Sequence, residues 1–162
     1  MPRLEAIGAE RAHQRYARGM ELVIALRATA ARLRLGAPYQ WGHFGACNCG
    51  HLAQTLTQKN SAEIHRAALE RARLARGRVE DWGEAVVDYC PASGLPLDDV
   101  LAEMLSAGLT LRDLRHLEDL DDPRIVRHLK RHLSRNDRAD LILYLDTWAD
   151  LLADQELPIA AE

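Results

Sequence analysis

The chain has 162 residues and a formal net charge of −3 at pH 7, with 48% hydrophobic, 28% charged and 5% aromatic residues. That balance excludes a disordered chain, and the small negative charge argues against a whole-protein attraction to nucleic acid. Leu and Ala are frequent while Val, Ile and Thr are sparse, so the composition favours helices over strands. The expected fold is all-α: an irregular multi-helix bundle of about six to eight helices with a long N-terminal helix. Residues 1–162 read as one domain, which can divide at a loop over 90–96.

The first helix runs from about Arg3 to Leu35, where Tyr16, Met20, Val23, Ile24, Leu26, Ala30 and Leu33 keep close to helical spacing. Gly36 and Pro38 end it, and a kinked or shorter helix would break at Gly19. A loop from Gly36 to about Gly45 leads to a second helix that begins near Cys47 to Gly50. Asn60 and Glu63 have the spacing of a capping box and predict a third helix from Ser61 to a stop at Gly77. Val79 to Tyr89 is a further helical candidate, followed by the Cys90 to Pro96 loop. A unit from Pro96 closes at Gly108, and Thr110 with Asp113 repeats the capping-box spacing before Leu114 and Leu117. Asp122 is an N-cap with Pro123 at the first helical position, ahead of the stripe Ile125, Val126, Leu129 and Leu133. The last helix starts near Asn136 or Asp137 and frays before Pro158.

Charge is unevenly spread. Met1 to Leu35 holds seven Arg against three Glu, whereas Leu141 to Glu162 holds five acids and no Arg or Lys. The two ends can therefore pair within the bundle or across a dimer. A first helix of this length is ~45 Å long and exceeds the diameter of a compact domain, which predicts a homodimer. Arg3, Glu5, Glu10 and Arg11 interrupt any apolar leader, and no apolar run spans a membrane. With three cysteines and no export signal, the expected location is cytoplasmic, with the cysteines reduced.

The distinctive chemistry lies in WGHFGACNCGH, Trp41 to His51. His43, Cys47, Cys49 and His51 bring two imidazoles and two thiols into nine residues, a donor set that suits Zn or Fe. Gly42, Gly45 and Gly50 allow the backbone to curl so that these groups converge. The first expectation is a small metal-binding helical protein with its site at residues 43–51. A second is a thiol-dependent redox protein, because Cys47 or Cys49 at a helix N-terminus gains thiolate character and a histidine can serve as base. A third is a helical interaction or regulatory module without chemistry, in which Asn48 caps the helix and the histidines lie on the surface.

Other candidates are weaker. Cys90 and His65 can complete a site if the fold brings them near. His128 and His132, four apart, share a helical face, but surrounding Arg and Lys oppose a bound cation. Glu10 with His13, and Asp113 with His116, have di-iron spacing without the further carboxylates such a site needs. A helix-turn-helix around Gly108 has a second helix too acidic to face phosphates, and the basic Pro123 to Arg135 segment is the better surface. No glycine-rich nucleotide loop is present, so no nucleotide cofactor is expected.

Overall fold

The computed structural model describes residues 2–43, 45–76 and 99–156. Among these residues there are seven helices and no strand, an all-α arrangement. They are α1 (Pro2–Arg34), α2 (Asn48–Thr57), α3 (Ser61–Arg76), α4 (Asp99–Ser106), α5 (Leu111–Asp119), α6 (Pro123–Leu129) and α7 (Arg138–Glu156). The Gly77 stop, the Val79 to Tyr89 helix, the Cys90 to Pro96 loop, the start at Pro96 and the fraying before Pro158 lie outside the described residues.

The local signals place the helix starts. Asn60 and Glu63 exchange side chain-to-backbone hydrogen bonds at 3.0 and 2.7 Å, which opens α3. Thr110 and Asp113 do the same for α5. Asp122 accepts the Arg124 N–H at 2.8 Å ahead of Pro123 in α6. Asp137 accepts the Asp140 N–H at 3.0 Å and opens α7. Each cap answers one of the amide groups that the first helical turn leaves without a partner. Gly19 does not break α1, which is continuous over its 33 residues.

Helices from both sides of residues 90–96 contribute to one hydrophobic core. Leu22, Leu26 and Leu33 of α1 pack with Leu141, Leu145 and Trp148 of α7, joined by Leu52, Met104, Leu114, Leu117 and Ile125. Full burial of such a side chain contributes roughly 1.5–3 kcal/mol. The α1–α7 pair is the most extensive packing, while α2 sits among α1, α3, α4 and α5. Arg27 pairs with Asp150 at 3.0 Å and Arg34 pairs with Asp146, so α1 and α7 run antiparallel and part of the end-to-end charge asymmetry is resolved within the chain.

The basic segment departs from its expected form. Helix α6 ends at Leu129, with Lys130 in the left-handed conformation (φ 55°). His128 and His132 therefore do not share a helical face, and both are exposed. Tertiary contacts stop the helix here. Asp140 accepts the Ser134 N–H at 2.7 Å, and the Arg135 carbonyl is taken by side chains of the preceding half of the chain. Among the described residues no helix is long and apolar enough to cross a membrane.

Candidate functional site

The Trp41 to His51 segment folds back on itself because its glycines permit it. Gly42 and Gly45 adopt positive φ (80° and 85°), a conformation that side chains rarely take. The backbone of Gly50 crosses that of Gly45 so closely that a Cβ on Gly50 would lie 2.6 Å from Gly45. The curl delivers Cys47 to the N-cap of α2, where its sulfur accepts the Gly50 N–H at 3.4 Å. Cys47 rather than Asn48 is thus the cap, a correction to the structural expectation.

Asn48 is released for a different task. Its Nδ2 donates to the Glu118 carbonyl at 2.8 Å and to the Arg135 carbonyl at 3.1 Å. The Tyr39 hydroxyl lies 2.8 Å from Asn48 Oδ1 and 2.7 Å from the Arg135 carbonyl, and its single proton serves one of them. Trp41 Nε1 donates to the same Glu118 carbonyl at 3.4 Å, and the Arg135 guanidinium lies 4.2 Å over the Trp41 ring. In return the buried Glu118 carboxylate accepts the Cys49 N–H at 3.2 Å. The start of α2 and the end of α5 therefore cap each other: a carboxylate from α5 takes an amide at the N-terminus of α2, and an amide side chain from α2 takes a carbonyl that α5 leaves open. Burial pushes the Glu118 carboxyl above its ordinary range, partly offset by hydrogen bonds from Cys49 and Cys47. Both thiols are thus close to this carboxylate, and Cys49 Sγ also donates to the Leu114 carbonyl at 3.1 Å.

His51 is 1% exposed. Its Nε2 lies 2.9 Å from the Pro38 carbonyl, so Nε2 carries the proton. Nδ1 faces Arg32 Nη2 at 3.4 Å and serves as the acceptor. Arg32 also donates to the His51 carbonyl at 2.7 Å and to Thr55 Oγ1 at 3.2 Å. Burial, with the Arg32 charge beside it, holds His51 below its ordinary pKa, while its bond to Pro38 works in the opposite direction. A neutral imidazole with both nitrogens engaged is the result.

The four expected ligands are therefore neighbours in sequence but not a converged set. His51 is committed to Pro38 and Arg32, and it is buried rather than on the surface. His43 is half-buried and its ring stacks on His65, centroids 4.7 Å apart and 11° from parallel, so the ring nitrogens lie in parallel planes rather than aiming at one point. Cys47 and Cys49 face α5 and Glu118. Among the described residues, no three His, Cys, Asp or Glu side chains are placed to hold a metal ion. Asp113 caps α5 and His116 pairs with Asp121 at 2.6 Å, while Glu10 and His13 lie exposed on α1. Cys90 lies outside the described residues.

Sequence reasoning did not reach Glu118, Arg32 or Tyr39. For Glu118 a signal exists: it follows Leu114 and Leu117 at helical spacing, which puts it on the buried face of α5. No known family model matches this chain, and neither does a curated protein or a solved structure.

Proposed function

We propose that the protein is a helical interaction module that self-associates through α1 and whose Cys/His segment is structural. The observation that carries this reading is the unequal length of the two main helices. At 1.5 Å per residue α1 is about 50 Å long and α7 about 28 Å. The antiparallel register brings the last described residue of α7, Glu156, to about the level of Leu22. Every residue from Ile7 to Arg18 is exposed. Tyr16, Met20 and Ile24, each four apart, form a stripe on the side of α1 opposite Leu22, Leu26 and Leu33, and Ile24 is 62% exposed.

A second copy is the partner that this stripe suits, since a two-fold axis sets the same apolar face of each chain against the other. Arg11, Arg15 and Arg18 make no ion pair among the described residues, and neither does the exposed Asp154 on the acidic α7. A two-fold pairing of α1 on α1 covers both apolar stripes at once. A cytoplasmic location, with Cys47 and Cys49 reduced, is part of the same reading.

Sedimentation of the parent at micromolar concentration should give a dimer. The Met20→Glu, Ile24→Glu protein should be a monomer with unchanged helical circular dichroism. A monomeric parent would remove the dimer from this proposal.

The thiol chemistry and metal readings have less support. Glu118 sets a carboxylate, not a cation, beside the two thiols, the opposite of what sustains a reactive thiolate. Elemental analysis tests the metal reading directly. Stoichiometric Zn or Fe in the parent, lost in Cys47→Ser and Cys49→Ser proteins, would replace the module with a metal protein.

A further inference from the structure

A cavity of about 440 Å³ opens between α5 and the first turn of α6, far in sequence from the Cys/His segment. Its lining is charged, and the charges are not equally committed. Asp122, whose side chain is 5% exposed, takes Arg124 through two guanidinium nitrogens, Nε at 3.1 Å and Nη2 at 2.7 Å, in addition to the Arg124 N–H. Asp113 is held by Thr110, whose N–H and hydroxyl donate to it at 2.8 and 2.7 Å, and its other oxygen lies 3.6 Å from Arg124. Asp121 accepts from His116 Nδ1. Every acid at the cavity or on its rim is thus engaged.

The arginines are not. Arg112 and Arg127 line the cavity and make no ion pair among the described residues. The one side-chain bond of Arg112 runs from Nε to His116 Nε2, at a long 3.4 Å. His116 is thus set between Arg112 on Nε2 and Asp121 on Nδ1. The open hydrogen-bonding capacity of the cavity is therefore cationic N–H, with Arg124 held as a fixed wall by a buried carboxylate.

We propose that this cavity binds a phosphomonoester, with its phosphate gripped by Arg112 and Arg127. Planar guanidinium groups meet phosphate oxygens through paired, charge-assisted hydrogen bonds, which neutral or cationic ligands cannot make here. The volume exceeds what a bare phosphate fills, and the Pro123 ring supplies an apolar patch for an organic group. Arg112 leaves His116 Nε2 when it turns to the phosphate, so the imidazole reports occupancy.

The test is an NMR titration of the histidine side chains with phenyl phosphate and with inorganic phosphate, against sodium chloride at matched ionic strength. Saturable shifts of the His116 signals with both probes, tighter for phenyl phosphate, are expected. Arg112→Gln and Arg127→Gln should each weaken phenyl phosphate binding by roughly 10-fold. Arg115→Gln, an exposed charge of the same helix outside the cavity, should leave it unchanged. Saturation by inorganic phosphate with no gain from the phenyl group would overturn the monoester assignment. Shifts no larger than those caused by chloride, or equal affinity in the Arg112→Gln, Arg127→Gln protein, would overturn the site.

Discussion

The segment Tyr39 to His51 and the helix segment Ile7 to Ile24 differ in how far the rest of the chain answers their side chains. In the first, Asn48 uses both of its N–H groups, His51 uses both ring nitrogens, and the end of α5 closes over Cys49. In the second, the side chains of Ile7, Tyr16, Met20 and Ile24 are exposed and three arginines lack carboxylates among the described residues. Of the residues that look most chemical, Cys47, Cys49 and His51 are hydrogen-bonded within the chain while the buried Nδ1 of His43 has no hydrogen-bond partner, and the plainest helix has the largest unpartnered surface. Density of reactive residue types is a poor guide to reactivity when most of the polar atoms have a structural partner.

The comparison breaks most visibly at the level of packing. Leu26 is 0% exposed on the core side of α1, and Leu26→Ala should cost ~2–5 kcal/mol in urea denaturation. Ile24→Ala, two residues away on the outer side, should stay within about 0.5 kcal/mol under conditions where the protein is a monomer. A large effect at Ile24 in the monomer would mean that the outer stripe is packed within the chain.

Hydrogen bonding separates the regions by a smaller margin. Asn48→Ala leaves the carbonyls of Glu118 and Arg135 without their amide donor and should cost about 1–3 kcal/mol. Glu10→Ala, on the projecting half, should stay within about 0.5 kcal/mol. Equal losses would mean that the Asn48 contacts add nothing to stability.

The pH dependence gives the finest distinction. Burial raises the Glu118 carboxyl above 4.5 in the folded state. The folded form then binds the proton more tightly than the unfolded form, so this group lowers stability as pH rises from about 4.5 through its folded value. Glu118→Gln removes that slope, and its stability relative to the parent should increase between pH 4 and 7. His51 runs the other way: its folded pKa lies below 6.5, so its contribution is present above 6.5 and is lost as pH falls towards the folded value. Parent-minus-variant differences in urea midpoint isolate the Glu118 part. A difference that does not vary with pH would mean that Glu118 is not perturbed by its burial.

Much of the helical layout was readable from the sequence because it depends on local chemistry. Asn60 with Glu63, Thr110 with Asp113, and Asp122 before Pro123 each act within three residues, and each opens a helix where the spacing predicts. The candidate site was legible only as a composition of residue types. Nothing local says that His51 would be spoken for by Pro38 and Arg32, or that Cys49 would meet Glu118, 69 residues away. The end of α6 was misread for the same reason. The apolar spacing continues to Leu133, but Asn48 and Tyr39 take the Arg135 carbonyl and Asp140 takes the Ser134 amide.

Composition, hydrophobic period and capping pairs determine by themselves that the described chain is all-α, that its first helix is long, and where most helices begin. These properties follow from interactions between residues a few positions apart, which sequence order guarantees. Where along α1 burial begins, which groups take the two nitrogens of His51, and which arginines around α5 and α6 lack a carboxylate were decided by tertiary structure alone. They depend on partners brought together by packing, and the same residue is a ligand, a cap or a filler according to the groups that packing sets beside it.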